Sequence, residues 1–160
     1  MDNLSNGRTL DLLMDIKGEF VEYLTLEVTE RIFSKDIEKA RDILVSLKDM
    51  GFRIMIDDFG TGYSSLSYIH KLPVDAIKVD ISFIREMMEN QKVKELVKEI
   101  IRMSKVLGIE TVAEGVETEE QVELLKGFGC DYLQGFFFSK PLPFDEAKKL
   151  IVMGGRHEER

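Results

Sequence analysis

The chain has 160 residues, 44% hydrophobic and 32% charged, which suits one globular domain with a core of its own. A net charge of −8 leaves no basic stripe, so a nucleic-acid polymer is not an expected partner, whereas a small phosphate ligand held through metal ions is compatible. The single cysteine, Cys130, rules out an intrachain disulfide and a thiolate metal site; it is expected as a buried structural residue. The two histidines, His70 and His157, lie far apart in the chain and do not suggest zinc. No apolar run approaches the roughly 20 residues of a membrane span. The start, Met1-Asp2-Asn3-Leu4-Ser5, has no signal-peptide character, so a cytoplasmic protein or module is expected.

Taken in order, residues 9–20 carry Leu10, Leu13, Ile16 and Phe20, a helical stripe. Residues 23–28 read as a strand. Ser34 or Asp36 can cap a helix whose apolar face is Ile37, Ala40, Ile43, Leu44 and Leu47, with Gly51 as its stop. Residues 52–57 form the next strand, 64–70 a short helical piece ended by Pro73, and 75–80 a third strand. One long helical region follows, with Val93, Leu96, Val97, Ile100, Ile101 and Leu107 inward and Gly108 at its end. Residues 109–114 are a strand, Thr118 caps a helix bearing Val122, Leu125 and Phe128, residues 131–135 are a fifth strand, and 144–152 a last helix. Residues 154–160 are polar and are expected to fray. Strands alternating with helices imply parallel pairing with helical crossovers, an α/β architecture.

The strand ends carry the functional signal. Each closes an apolar run with a polar side chain: Glu27, Asp57 with Asp58, Lys78 with Asp80, Glu114, and Gln134. In a parallel barrel or sheet those C-terminal ends share one face, where the chemistry is placed. Taken alone, Asp57-Asp58 suits an Asx-type turn, Lys78 a salt bridge and Gln134 a strand cap. Together, Glu27, Asp57, Asp58 and Glu114 are hard oxygen donors that favour Mg²⁺ or Mn²⁺ over zinc. Such a set can hold two cations for in-line phosphoryl displacement, with Lys78 stabilising negative charge or orienting water.

In this order, the segments LEVTE (26–30), IDDFGTGYSSL (56–66), LPVDAIKVDISFI (72–84), VAEGVET (112–118) and LQGFFFSKPLP (133–143) resemble the EAL domain, the bacterial cyclic di-GMP phosphodiesterase family. The resemblance implies a modified (β/α)₈ TIM-type barrel with a two-metal site that hydrolyses cyclic di-GMP to a linear dinucleotide. By position, it implies Glu27, Asp57 and Asp58 as metal ligands and Glu114, Lys78 and Gln134 as catalytic residues. Glu30 matches the glutamate that steadies the loop 59–65, and Asp80 and Glu117 are expected in a supporting role. Asn3 matches a metal-binding asparagine, although the spacing from Asn3 to Glu27 is shorter than the family's. The Glu-Ala-Leu motif that names the family, and the substrate-binding arginine after it, have no counterpart in this sequence.

With about five or six βα units, an incomplete barrel spanning residues 1–153 is expected, with 154–160 as a tail. The expected function is a truncated phosphodiesterase domain with weak or absent turnover. The alternative is a degenerate, noncatalytic EAL-like module that binds cyclic di-GMP or a protein. An open sheet would also expose strand edges, so a homodimer or a partner chain is expected to cover the 23–28 edge or the Leu133 edge.

Overall fold

A computed structural model describes residues 24–30, 33, 36–60 and 69–152. The expected helix at 9–20, Asn3, most of the piece at 64–70 and the tail at 154–160 lie outside the described residues. Five strands, β1 (Thr25–Thr29), β2 (Arg53–Phe59), β3 (Ala76–Val79), β4 (Glu110–Glu114) and β5 (Tyr132–Gln134), form one sheet in the order β1-β2-β3-β4-β5. Every neighbouring pair is parallel. The helices are α1 (Ile37–Asp49), α2 (Ile81–Glu86), α3 (Gln91–Leu107), α4 (Glu119–Phe128) and α5 (Phe144–Val152).

The apolar spacing read from the sequence becomes the helix-to-sheet core. Ala40, Leu44 and Leu47 of α1, Val97, Ile100 and Ile101 of α3, and Val122 and Leu125 of α4 are buried. They belong to one apolar cluster with Ile54, Ile56, Ile77, Val79 and Ala113 of the sheet. Asp36 caps α1, accepting from the Lys39 amide at 3.1 Å, while Ser34 lies outside the described residues. Thr118 and Gln121 close a reciprocal capping box on α4. The expected long helix after β3 is two helices. Asn90 starts the second by accepting from the Lys92 amide at 3.1 Å, which interrupts the first beyond Glu86.

Alternation along each strand sorts the sheet into two faces. The register pairs Glu27 with Met55, Met55 with Ala76, Ala76 with Glu110, and Val112 with Tyr132. Thr25, Glu27, Arg53, Met55, Asp57, Ala76, Lys78, Glu110, Val112, Glu114, Tyr132 and Gln134 therefore share the face away from the helix-side core. A parallel sheet with its apolar core on one face and a polar opposite face is the arrangement of a partial TIM-type barrel.

Two aspartates pin the register. Asp75, just before β3, accepts from the Ile54 amide of β2 at 2.8 Å and from Lys48 at 2.6 Å. Asp131, just before β5, accepts from the Thr111 amide and hydroxyl of β4, both at 2.8 Å. The same device thus aligns β3 with β2 and β5 with β4. Gly135 lets the chain after β5 pass close to the loop after β4: a Cβ there would stand 2.1 Å from the Val116 carbonyl oxygen.

Candidate active site

The third strand places Lys78 on the polar face between its neighbours, with its side chain only 8% exposed. Three carboxylates from three other strands surround its ammonium. Glu27 of β1 lies at 3.3 Å, Asp57 of β2 at 3.4 Å and Glu114 of β4 at 3.7 Å. Asp57 and Glu114 come from the strands flanking β3, while Glu27 reaches across from the strand beyond β2. Burial alone would lower the lysine's pKa, but attraction by Glu114, Asp57 and Glu27 outweighs it and holds the group above the ordinary lysine range.

The other residues singled out from the sequence divide. Gln134 ends β5 directly beside Glu114 in register and is exposed, so it joins the same rim. Asp58 sits where the β2–β3 register shifts, with φ 54, a left-handed conformation that aspartate tolerates better than most residues. The bulge sets Asp57 and Asp58 together opposite Lys78 of β3, and the Asp58 side chain is exposed. Glu30 is buried immediately after β1, and the part of the loop beyond Gly60 that it was expected to steady lies outside the described residues.

Asp80 caps α2, accepting from the Ser82 amide at 2.9 Å and from the Ser82 hydroxyl. Glu117 pairs with Arg85 on the surface at 2.7 Å. Neither has an ion pair with Lys78 among the described residues. Sequence reasoning passed over Asp75 and Asp131 as ordinary strand residues. The signal was an aspartate directly before each short apolar run, at Asp75-Ala76-Ile77 and Asp131-Tyr132-Leu133.

The donor chemistry fits a hard divalent ion, since the rim offers carboxylate oxygens with no thiolate or imidazole. Asp57 Oδ1 is buried and makes no hydrogen bond, its charged partner being the Lys78 ammonium at 3.4 Å. The described residues nevertheless contain no group of three acidic, histidine or cysteine side chains placed to hold a metal ion among themselves. Glu27, Asp57 and Glu114 converge instead on the Lys78 ammonium.

A parallel α/β sheet with an acidic rim around one lysine at its strand ends is the arrangement of a partial TIM-type barrel. The chain belongs to the EAL domain family, whose model matches residues 5–141. It is 46% identical over 129 residues to the cyclic di-GMP phosphodiesterase NbdA of Pseudomonas aeruginosa, covering 81% of this chain and 16% of that protein. A structure of the Pseudomonas aeruginosa MucR phosphodiesterase in complex with cyclic di-GMP matches with a TM-score of 0.83 at 38% identity. That match covers 91% of this chain and 60% of the other. Klebsiella pneumoniae BlrP1, solved with manganese and cyclic di-GMP, matches at 35% identity and a TM-score of 0.76, over 86% of this chain and 36% of the other. BlrP1 has also been solved with calcium and the same nucleotide. The chain spans 18% and 16% of the first two curated relatives it matches. No helix among the described residues is long and apolar enough to cross a membrane.

Proposed function

We propose that this chain forms a divalent-metal-assisted cyclic di-GMP site of the phosphodiesterase type, with weak or absent turnover on its own. The observation that carries the reading is the Lys78 ammonium within 4 Å of Glu27, Asp57 and Glu114 on the rim of a parallel sheet. Glu27, Asp57 and Asp58 would hold the ions, Mg²⁺ or Mn²⁺; Asn3, outside the described residues, would add a donor. When bound, the ions supply positive charge that polarises the phosphodiester for in-line attack.

The chain's own residues then have separate tasks. Lys78 neutralises charge on a non-bridging phosphate oxygen and donates a hydrogen bond to the attacking water. Glu114 and Gln134, side by side at adjacent strand ends, orient that water and the nucleotide's polar edge. Water adds at phosphorus and gives up a proton, one phosphorus–ester bond breaks, the departing ribose oxygen takes up a proton, and the ring opens to a linear dinucleotide. Glu30 would steady the loop after Asp58, and Asp80 and Glu117 would act from outside the rim as a helix cap and a surface pair. Weak turnover is the expectation because the sequence has no counterpart of the family's Glu-Ala-Leu glutamate and the arginine after it.

Calorimetric titration of the 160-residue chain with cyclic di-GMP in Mn²⁺ tests the reading. Saturable binding that is lost in the Asp57→Asn, Glu27→Gln double variant supports it, and no saturable binding refutes it. Robust hydrolysis by the pure chain, abolished in Glu27→Ala, would overturn the weak-turnover part and leave the site. As part of the same proposal, a second copy or a partner chain covers an outer edge of the sheet. The support is that β1 and β5, the outer strands, each pair on one side only among the described residues. A strictly monomeric, cooperatively folded species in sedimentation at high concentration would refute that element.

A further inference from the structure

We propose that Lys78 is a built-in competitor of the divalent cation: its ammonium occupies the shared centre of the carboxylate set, and a metal ion must draw those carboxylates away from it. This rests on the reading of the rim as a metal and cyclic di-GMP site. Three features of the geometry point to it. The ammonium touches carboxylates from three different strands, so no single partner owns it. Its separations of 3.3, 3.4 and 3.7 Å exceed the roughly 2.7–2.9 Å of a tight charge-assisted bond, as for a cation shared among partners. One ammonium against three carboxylates leaves a formal charge of −2 (three negative, one positive), which a divalent cation can neutralise.

The arrangement couples two events. While the carboxylates face Lys78, they are turned toward an ammonium and not toward one another, in keeping with the absence of a metal-holding triad among the described residues. A divalent ion that recruits Glu27 and Asp57 releases Lys78 from two of its partners. The freed ammonium is then available to a phosphate oxygen. Metal and nucleotide therefore favour each other's binding through one side chain, and by linkage the effect is reciprocal. Lys78 keeps the acidic rim folded and poorly receptive to cations until a phosphate arrives to take the ammonium over.

The test is Mn²⁺ binding to the full chain without nucleotide, read as loss of the free-ion electron paramagnetic resonance signal. Lys78→Met should bind Mn²⁺ at least about tenfold more tightly than the parent chain, the size of effect one unit charge at ~4–6 Å has on a neighbouring carboxylate. Lys78→Arg, which keeps the charge, should stay close to the parent. Equal or weaker binding in Lys78→Met overturns the competition while leaving the metal site standing. No Mn²⁺ binding in either chain overturns both this proposal and the reading beneath it.

A second measurement needs no variant. Acetylation of Lys78 in the parent chain, followed by mass spectrometry, should rise several-fold on adding Mg²⁺, because a side chain released from its clamp of carboxylates is open to the reagent. Labelling unchanged by Mg²⁺ in a chain that binds Mn²⁺ overturns the proposal.

Discussion

Asp131→Ala is the most direct probe of how this sheet keeps its site in register. The carboxylate receives two hydrogen bonds of 2.8 Å from Thr111, one from the amide and one from the hydroxyl. Thr111 is fully buried, so its amide has no water to turn to once the carboxylate is gone. The hydroxyl is less exposed to loss, because it can rotate and still accepts from the Asp131 amide at 3.2 Å. A hydrogen bond to a charged group contributes about 1.5–3 kcal/mol, and an unsatisfied buried donor costs about 1–3 kcal/mol. Most of the penalty falls on the one amide, which gives a loss of about 3 kcal/mol.

With a urea m-value of about 2 kcal/mol per molar, the unfolding midpoint should fall by about 1.5 M at unchanged slope. Thr111→Val, which deletes only the hydroxyl, should cost about 1 kcal/mol and be non-additive with Asp131→Ala in a double-mutant cycle. A midpoint for Asp131→Ala within about 0.25 M of the parent, a loss of only about 0.5 kcal/mol, would refute the register argument. The variant also has a functional consequence. If β5 slips, Gln134 leaves its place beside Glu114, and nucleotide binding should weaken even in the fraction that remains folded.

Three further outcomes are expected. Gly135→Ala should destabilise by about 1–3 kcal/mol in the same urea assay, since its Cβ would meet the Val116 backbone; a neutral result would mean that the close approach is not real. Burial pushes the Cys130 thiol up, so iodoacetamide at mildly alkaline pH should modify it about tenfold more slowly than free cysteine, with the rate restored in urea. Lys78 has a raised folded-state pKa, so its stabilising contribution is complete below the ordinary lysine value of about 10.4 and is lost as pH rises through the folded value. Thermal melts should therefore fall over that alkaline window in the parent and fall less in Lys78→Met; parallel pH profiles would contradict the assignment.

Much of this molecule was legible in its sequence because the deciding interactions were local. Short apolar runs closed by Glu27, Asp57, Lys78, Glu114 and Gln134 set the strands and their polar ends, and the 3.6-residue spacing of Ala40, Leu44 and Leu47 set a helix. Motifs in a fixed order were enough to indicate the EAL family. Tertiary structure alone decided the rest, because register is a relation between strands and side chains recruit partners across it. The Asp75 and Asp131 carboxylates act on strands that lie about 20 residues away in the chain. A bulge set Asp57 and Asp58 together opposite Lys78, where plain strand alternation would have sent them to opposite faces. Above all, only the folded sheet brought three carboxylates from three strands around the single Lys78 ammonium, making that lysine the centre of the rim rather than one more polar strand end.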